Sequence, residues 1–324
     1  MTAFMIKRVA WMAFVLFAVS AISFALFYVL PGDPAVLMAG KKATPAMIEA
    51  ARREERLDRP LHEQYGFLMK RLLLGAWMPA DDAERLKTYS DPRLDVLDEI
   101  GRRAPVTLAL VAVAAALWVT LSIGMGVLSA LYAGRTLDCM ISALSLAGIA
   151  VPVYWLAMLA GTGFGSSWLR NSVGIRFRSI DEFWGMTIAA SVLAMQMVAF
   201  YSRTLRSNLL TTMAEDHVEM AHARGLPARH VFTRHIFRNS LLPMVTLFGM
   251  DFGVLIAGGA ILTETALDIK GLGQFMVQSI NLGDAPAVVA LTVYGAFLVV
   301  LLSTIADLTY PILDPRIRST GVQQ

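Results

Sequence analysis

Apolar positions in this chain fall into long runs, without the short alternations that mark soluble strands. Val9–Leu30 holds 22 residues without a charge, Ala104–Gly134 and Cys139–Leu169 hold 31 each, and Phe183–Ser202 holds 20. Leu241–Thr263 is interrupted only by Asp251, and Pro286–Ala306 is uncharged. A helix needs about 20 apolar residues to cross ~30 Å of hydrocarbon. The pattern therefore predicts an all-α polytopic membrane protein with six spans. The second and third runs would extend about 46 Å as straight helices, so they predict tilt or helix continuing past the bilayer. Pro152 removes a backbone donor inside the third run and predicts a kink, which would serve packing or, as the alternative, act as a hinge for gating.

Lys7 and Arg8 ahead of the first run resemble the start of a signal peptide. The run is too long for an h-region, and Pro31-Gly-Asp-Pro34 is no small-residue cleavage site, so a retained span is expected. With the N-terminus inside, the inner segments carry eleven basic residues: Lys7, Arg8, Arg135, Arg203, Arg206, Arg224, Arg229, Arg234, Arg238, Arg316 and Arg318. The two short outer loops carry four, namely Arg170, Arg176, Arg178 and Lys270. That asymmetry predicts both termini in the cytoplasm.

The expected organisation is an N-terminal segment with the first span (1–30), a sizeable external loop or cap (31–103), a transmembrane domain (104–313) and a cytoplasmic tail (314–324). The cap has 13 basic and 13 acidic residues, and its Glu49–Arg56 stretch favours a helix that Asp58-Arg-Pro60 ends or redirects.

Composition narrows the class further. The chain is 56% hydrophobic and 16% charged, with a mean hydropathy of +0.58. Net charge is +3, and the basic residues are spread over every loop without an aromatic-interleaved stripe, which argues against nucleic acid as a partner. Cys139 is the single cysteine, so no intramolecular disulfide or multi-thiolate metal site can form. His62-Glu63-Gln64-Tyr65-Gly66 lacks the second histidine of a zinc-protease helix, and no metal site is expected. Gly40-Lys41-Lys42 lacks the Ser/Thr after lysine, and Ala35 stands where a P-loop has its first glycine. The chain therefore has no nucleotide site of its own. No catalytic residues are expected, since the spans contain neither a paired Ser/His nor twin aspartates.

The informative stretch is the polar segment 203–240 between the fourth and fifth runs. Two short helices are expected there, with Gly225 as a C-terminal stop and Pro227 in the first turn of the second. At helical spacing Ala228, Val231, Phe232 and Ile236 share a sector of about 140°, while Phe237 points away from it. Ala221 and Gly225, four apart and both small, would offer a face that another protein could approach closely. An amphipathic helix on lipid headgroups and a helix docked in a partner's groove fit this pattern equally.

Within this segment Glu219-Met-Ala-His-Ala-Arg-Gly225 resembles the Glu-Ala-Ala-x-x-x-Gly loop of ABC importer permeases, with Met220 in place of the first alanine. Asp216 to Leu226, followed by Arg234-His-Ile-Phe-Arg-Asn-Ser-Leu-Leu-Pro243, is similar to the dipeptide/oligopeptide permease family. The resemblance continues through Pro31-Gly-Asp-Pro34, Leu57-Asp-Arg-Pro-Leu61, Glu264-Thr265 with Gly271-Leu-Gly273, and Leu313-Asp-Pro-Arg316. It implies a permease subunit of the bacterial inner membrane that forms half of a pathway with a similar second subunit. Peptide would be delivered by an external binding protein, although related permeases resemble transporters of nickel, haem or glutathione. It also implies cytoplasmic ATPase subunits that hold ATP and magnesium and engage Glu219, Met220, Ala221, Gly225 and Leu226. No cofactor would be bound by this chain.

Asp251 is the one ionisable residue near the middle of a run, where a charge is costly and marks a pathway, a proton relay or a buried hydrogen bond. Gly249 and Gly253 lie about 160° from it around a helix and suit close packing on the other side. A proton-coupled secondary transporter using Asp251 is the rival function. Glu264 and Asp307 fall near the ends of their runs, where water is expected to reach them.

Overall fold

A computed structural model of the chain describes residues 2–30, 33–39, 43–74, 96–162 and 183–313. Pro31, Gly32, Gly40-Lys41-Lys42, Arg170, Arg176, Arg178, Arg316 and Arg318 lie outside the described residues, as do the side chains of Lys7, Arg8 and Asp307. Among the described residues all regular structure is helical. The helices are α1 (Thr2–Phe24), α2 (Pro34–Ala39), α3 (Pro45–Glu54), α4 (Leu61–Leu74), α5 (Val96–Leu131), α6 (Thr136–Ala150) and α7 (Val153–Thr162). They continue as α8 (Phe183–Met213), α9 (Asp216–Ala223), α10 (Ala228–His230), α11 (Arg238–Val254), α12 (Ala260–Leu267), α13 (Leu272–Leu282) and α14 (Ala285–Leu313). Wider π-turns built into the described helices are π1 (Ala25–Val29), π2 (Val231–Phe237) and π3 (Leu255–Gly259).

Among the described residues four helical segments are long and apolar enough to cross a membrane: Val9–Val29, Val96–Leu131, Gly185–Met213 and Ala285–Thr304. A fifth is made by α6 and α7 if that pair, bent by 94°, is one span. The third run is therefore no single kinked helix. Val151, the residue before proline, is driven to extended geometry (ψ 122°), and the chain turns there. The fifth run is not one α-helix either, because π3 separates α11 from α12. What the structure supports is a multi-pass helical membrane protein with four or five such spans.

The chain divides into two compact units. The first comprises Met1–Leu108 with Lys270–Leu301. Its core is a stripe at helical spacing, Val96, Ile100 and Ala104 of α5, packed with Leu272, Ala287, Ala290 and Leu291. The Leu272 amide, an orphan donor at the start of α13, donates to Thr107 Oγ1 of α5 at 2.9 Å. A second cluster joins Phe24 of α1 and Tyr28 of π1 to Leu68 and Val289. The helix expected over Glu49–Arg56 is α3, which starts at Pro45 behind the N-cap Thr44. It ends at a turn in which Arg56 has φ 53°. There Arg71 places one nitrogen against both Glu55 oxygens at 3.0 and 2.8 Å, with both side chains buried. The Arg71 and Arg56 guanidiniums lie 4.2 and 4.4 Å from the Phe67 ring centre.

The second unit comprises Ala109–Ile269 with Leu302–Gln324 and is organised around α8. Small residues let the other helices approach it. A Cβ placed on Gly126 of α5 would lie 2.9 Å from Leu205 Cβ, and one on Gly148 of α6 would lie 2.9 Å from Ala199 Cβ. One on Gly259 would meet Leu193 at 2.6 Å. One turn from the Gly148 contact, Ser145 and Ser202 hydroxyls bond at 3.0 Å. In an apolar solvent this close packing and interhelical hydrogen bonding replace the hydrophobic drive between helices.

Candidate functional site: segment 203–240 and the mid-run carboxylate

Segment 203–240 is more continuous with its neighbours than the sequence predicts. Arg203 to Met213 is the last part of α8, and α10 passes through π2 into α11 without a break. Only α9 and its flanking turns stand apart. Gly225 stops α9 as expected, with φ +76°, which L-residues with a side chain rarely adopt. Its amide donates to His222 O at 2.9 Å, and the Leu226 amide reaches back to Ala221 O at 3.4 Å. This 6→1 closure is the Schellman stop. Pro227 is the N-cap and not a first-turn residue; its carbonyl accepts from His230 and Val231.

The expected sector on the next helix is only partly right. Val231 and Ile236 are buried, Phe232 is half-buried and Ala228 is exposed, while Arg234 and Arg238 face out. Phe237 does not point away. Its ring stacks on Phe232 at 6.3 Å, and His230 and His235 pair similarly at 6.1 Å. The 100° per residue of an α-helix separates residues five apart, whereas a π-turn brings them to one side.

Helix α9 packs on π2 with Val218 and Ala221 buried. Ala221 therefore faces its own chain, and of the small Ala221–Gly225 pair only Gly225 is left open. Glu219, Met220 and Gly225 are exposed, and Leu226 is half-buried. Polar contacts tie the end of α8 to the start of α11. Ser240 Oγ donates to Thr212 Oγ1 at 3.1 Å, and Asn208 Nδ2 donates to Ser240 O at 3.3 Å. Asn239 Nδ2 lies 3.4 Å from His217 Nε2, linking α9 to the same junction.

A polar knot that the sequence does not announce lies nearby. Asp138, in the first turn of α6, accepts from Arg206 Nε and from its terminal nitrogen, both at 2.7 Å. It also accepts from Ser129 Oγ at the end of α5 and from the Gly134 amide in the connecting turn at 2.9 Å. The carboxylate is buried and holds three helices together. Asp138 in a first helical turn is a legible dipole match. Its pairing with Arg206, 68 residues later, is not.

Asp251 lies on α11, and Tyr201 of α8 donates its hydroxyl to Oδ2 at 2.8 Å. Trp118 of α5, fully buried, packs against Tyr201 and Phe248 with centroids 4.7 and 4.4 Å away. Glu264 is fully buried, contrary to the expectation that water reaches it, because α12 packs on α7 and α8. Among the described residues no three His, Cys, Asp or Glu side chains converge as a metal site.

Residues 122–319 match the family described as binding-protein-dependent transport system inner membrane component. Residues 1–111 match its companion N-terminal family. The chain belongs to this family. It is the permease subunit of an ABC importer, a non-enzymatic membrane component whose system draws its ATPase activity from other subunits. The permease is similar over 98% of its length to proteins it covers almost end to end. A "Putative peptide transport system permease protein" of Brucella abortus is 34% identical, with 99% of that protein covered. The oligopeptide transport system permease protein AppB of Bacillus subtilis is 32% identical, again with 99% covered. The glutathione transport system permease protein GsiC of Shigella boydii is 29% identical over 97% of this chain and 98% of that one. Family membership sets aside the proton-coupled secondary transporter as the function of the chain, and Asp251 needs another account.

Proposed function

We propose that the permease forms half of the pathway of an importer for di- or oligopeptides in the bacterial inner membrane. A second, similar permease subunit supplies the other half, and an external binding protein delivers the peptide. Cytoplasmic ATPase subunits bind ATP and magnesium, and this chain binds no cofactor. The relatives' peptide-transport names support the substrate class. In this reading six spans cross the lipid with both termini cytoplasmic, 31–103 is an external cap, 104–313 is the transmembrane domain and 314–324 a tail.

The observation that carries the coupling role is the two-sidedness of α9. One face, Val218 and Ala221, is packed on π2, which continues into the helix bearing Asp251. The other, with Glu219 and Met220, is exposed. A partner seated on Glu219, Met220, Gly225 and Leu226 would push on a helix mechanically continuous with the membrane core. Ala221 supports that surface from beneath. ATP-driven movement of the partner would then bias the equilibrium between inward- and outward-open states.

Purification of the tagged chain from its own membrane in mild detergent, with mass identification of what accompanies it, tests the assembly. Recovery of a second permease and an ATPase is expected. A chain that purifies alone and transports on a proton gradient in liposomes overturns it.

A further inference from the structure

Phe248, Asp251 and Phe252 stand at i, i+3 and i+4 on α11 and so share one face. Tyr201 and Trp118 close on that face from α8 and α5, and Phe252 extends the ring series 5.7 Å beyond Phe248. The carboxylate is not consumed by this packing. Tyr201 satisfies Oδ2, and Asp251 is only half-buried. Among the described residues no Lys, Arg or His nitrogen pairs with it, and Oδ1 receives no side-chain hydrogen bond.

A carboxylate near the middle of an apolar run is retained where a cation or a donor offsets its cost. One phenol O–H fills one of about four acceptor positions of a carboxylate. Aromatic faces beside a carboxylate attract an organic ammonium, through the ring quadrupoles and a charge-assisted N–H···O bond. A hard divalent cation wants six or more oxygens, and among the described residues no three His, Cys, Asp or Glu side chains gather. An anionic ligand would face like charge.

We propose that Asp251, held by Tyr201 and flanked by the half-buried rings of Phe248 and Phe252, forms a transport-path subsite for the ammonium group of the carried substrate, with Trp118 buried behind it as support. Naming the substrate as a peptide rests on the function proposed above; the preference for an amine does not. The subsite reads the charged nitrogen and leaves the remainder of the ligand unspecified.

The test uses the full-length permease purified with the subunits that accompany it. L-leucinamide supplies an ammonium without a carboxylate, and N-acetyl-L-leucinamide is the uncharged match. Leucinamide is expected to raise the unfolding temperature and the acetylated compound to leave it unchanged. Asp251→Asn is expected to weaken the leucinamide response at least about tenfold, the loss of one charge-assisted bond. Phe252→Leu, a milder change, should weaken it several-fold and serves if Asp251→Asn does not fold. No response to leucinamide, an equal response to the acetylated compound, or an undiminished response in both variants overturns the subsite. Peptide uptake is measured separately. An amine-specific, Asp251-dependent response without peptide uptake upholds the subsite and counts against the peptide reading alone.

Discussion

Arg206 holds Asp138 with two parallel hydrogen bonds of 2.7 Å each, fastening the end of the long helix α8 to the first turn of α6. Paired donors on a planar guanidinium fix direction as well as distance. Ser129 and the Gly134 amide complete the carboxylate's partners, so the turn between α5 and α6 is held by the same group. Arg206→Ala leaves a buried carboxylate without its counter-ion and should cost about 3 kcal/mol. Arg206→Lys keeps the charge but not the fork, and should recover only part of that. Thermal unfolding of both variants in detergent measures the difference; equal stability of the alanine variant and wild type would contradict the account.

Close helix approach makes a second, internally controlled prediction. Gly148→Ala sets a methyl 2.9 Å from Ala199 Cβ, whereas a Cβ on Gly124 of α5 meets nothing within 4 Å. Gly148→Ala should destabilise by about 1–3 kcal/mol as an overpacked contact. Gly124→Ala should be neutral or slightly stabilising, because alanine is the better helix former. Comparing the two unfolding temperatures settles it.

Gly225 separates backbone geometry from space. A Cβ there has open room, but the φ of +76° penalises any side chain. Gly225→Ala should therefore cost about 1 kcal/mol through the backbone alone. A bulky residue at the same place should also block partner docking, giving ATP hydrolysis uncoupled from uptake in the assembled importer. Normal uptake by Gly225→Trp would remove the coupling role.

Neighbouring residues on α9 should behave oppositely. Met220 is 56% exposed and Ala221 5% exposed. Met220→Glu should leave the isolated permease as stable as wild type and reduce ATPase recovery in pull-downs. Ala221→Leu should lower stability by about 1–3 kcal/mol, because it overfills the contact with π2.

In the first unit, the Arg71–Glu55 pair is buried, and removal of one member strands the other. Arg71→Met alone should cost about 3 kcal/mol, and adding Glu55→Leu should return most of it. A double-mutant cycle followed by thermal unfolding gives the coupling directly. Additive losses would mean that the pair contributes nothing as a pair.

The sequence by itself determined the membrane class, because 20- to 31-residue uncharged runs have no other stable solvent. It also located the Gly225 stop and the stretch from Glu219 to Leu226, since a left-handed cap and a short polar helix are local properties. It marked Asp251 as exceptional from one charge in an apolar run. Where the reading went astray, the deciding forces were not local. Phe237 joined Phe232 because a π-turn replaced the α-helical period. Ala221 turned inward because its own chain, through π2, covers that face. Glu264 lost its water to neighbouring helices, and the kink expected at Pro152 is there, as a 94° bend whose size only the packing set. Tertiary structure alone decided that Arg206 would find Asp138, and that Tyr201, backed by Trp118, would close on Asp251. Those partners lie far apart along the chain, and no periodicity encodes a contact that exists only once helices have packed.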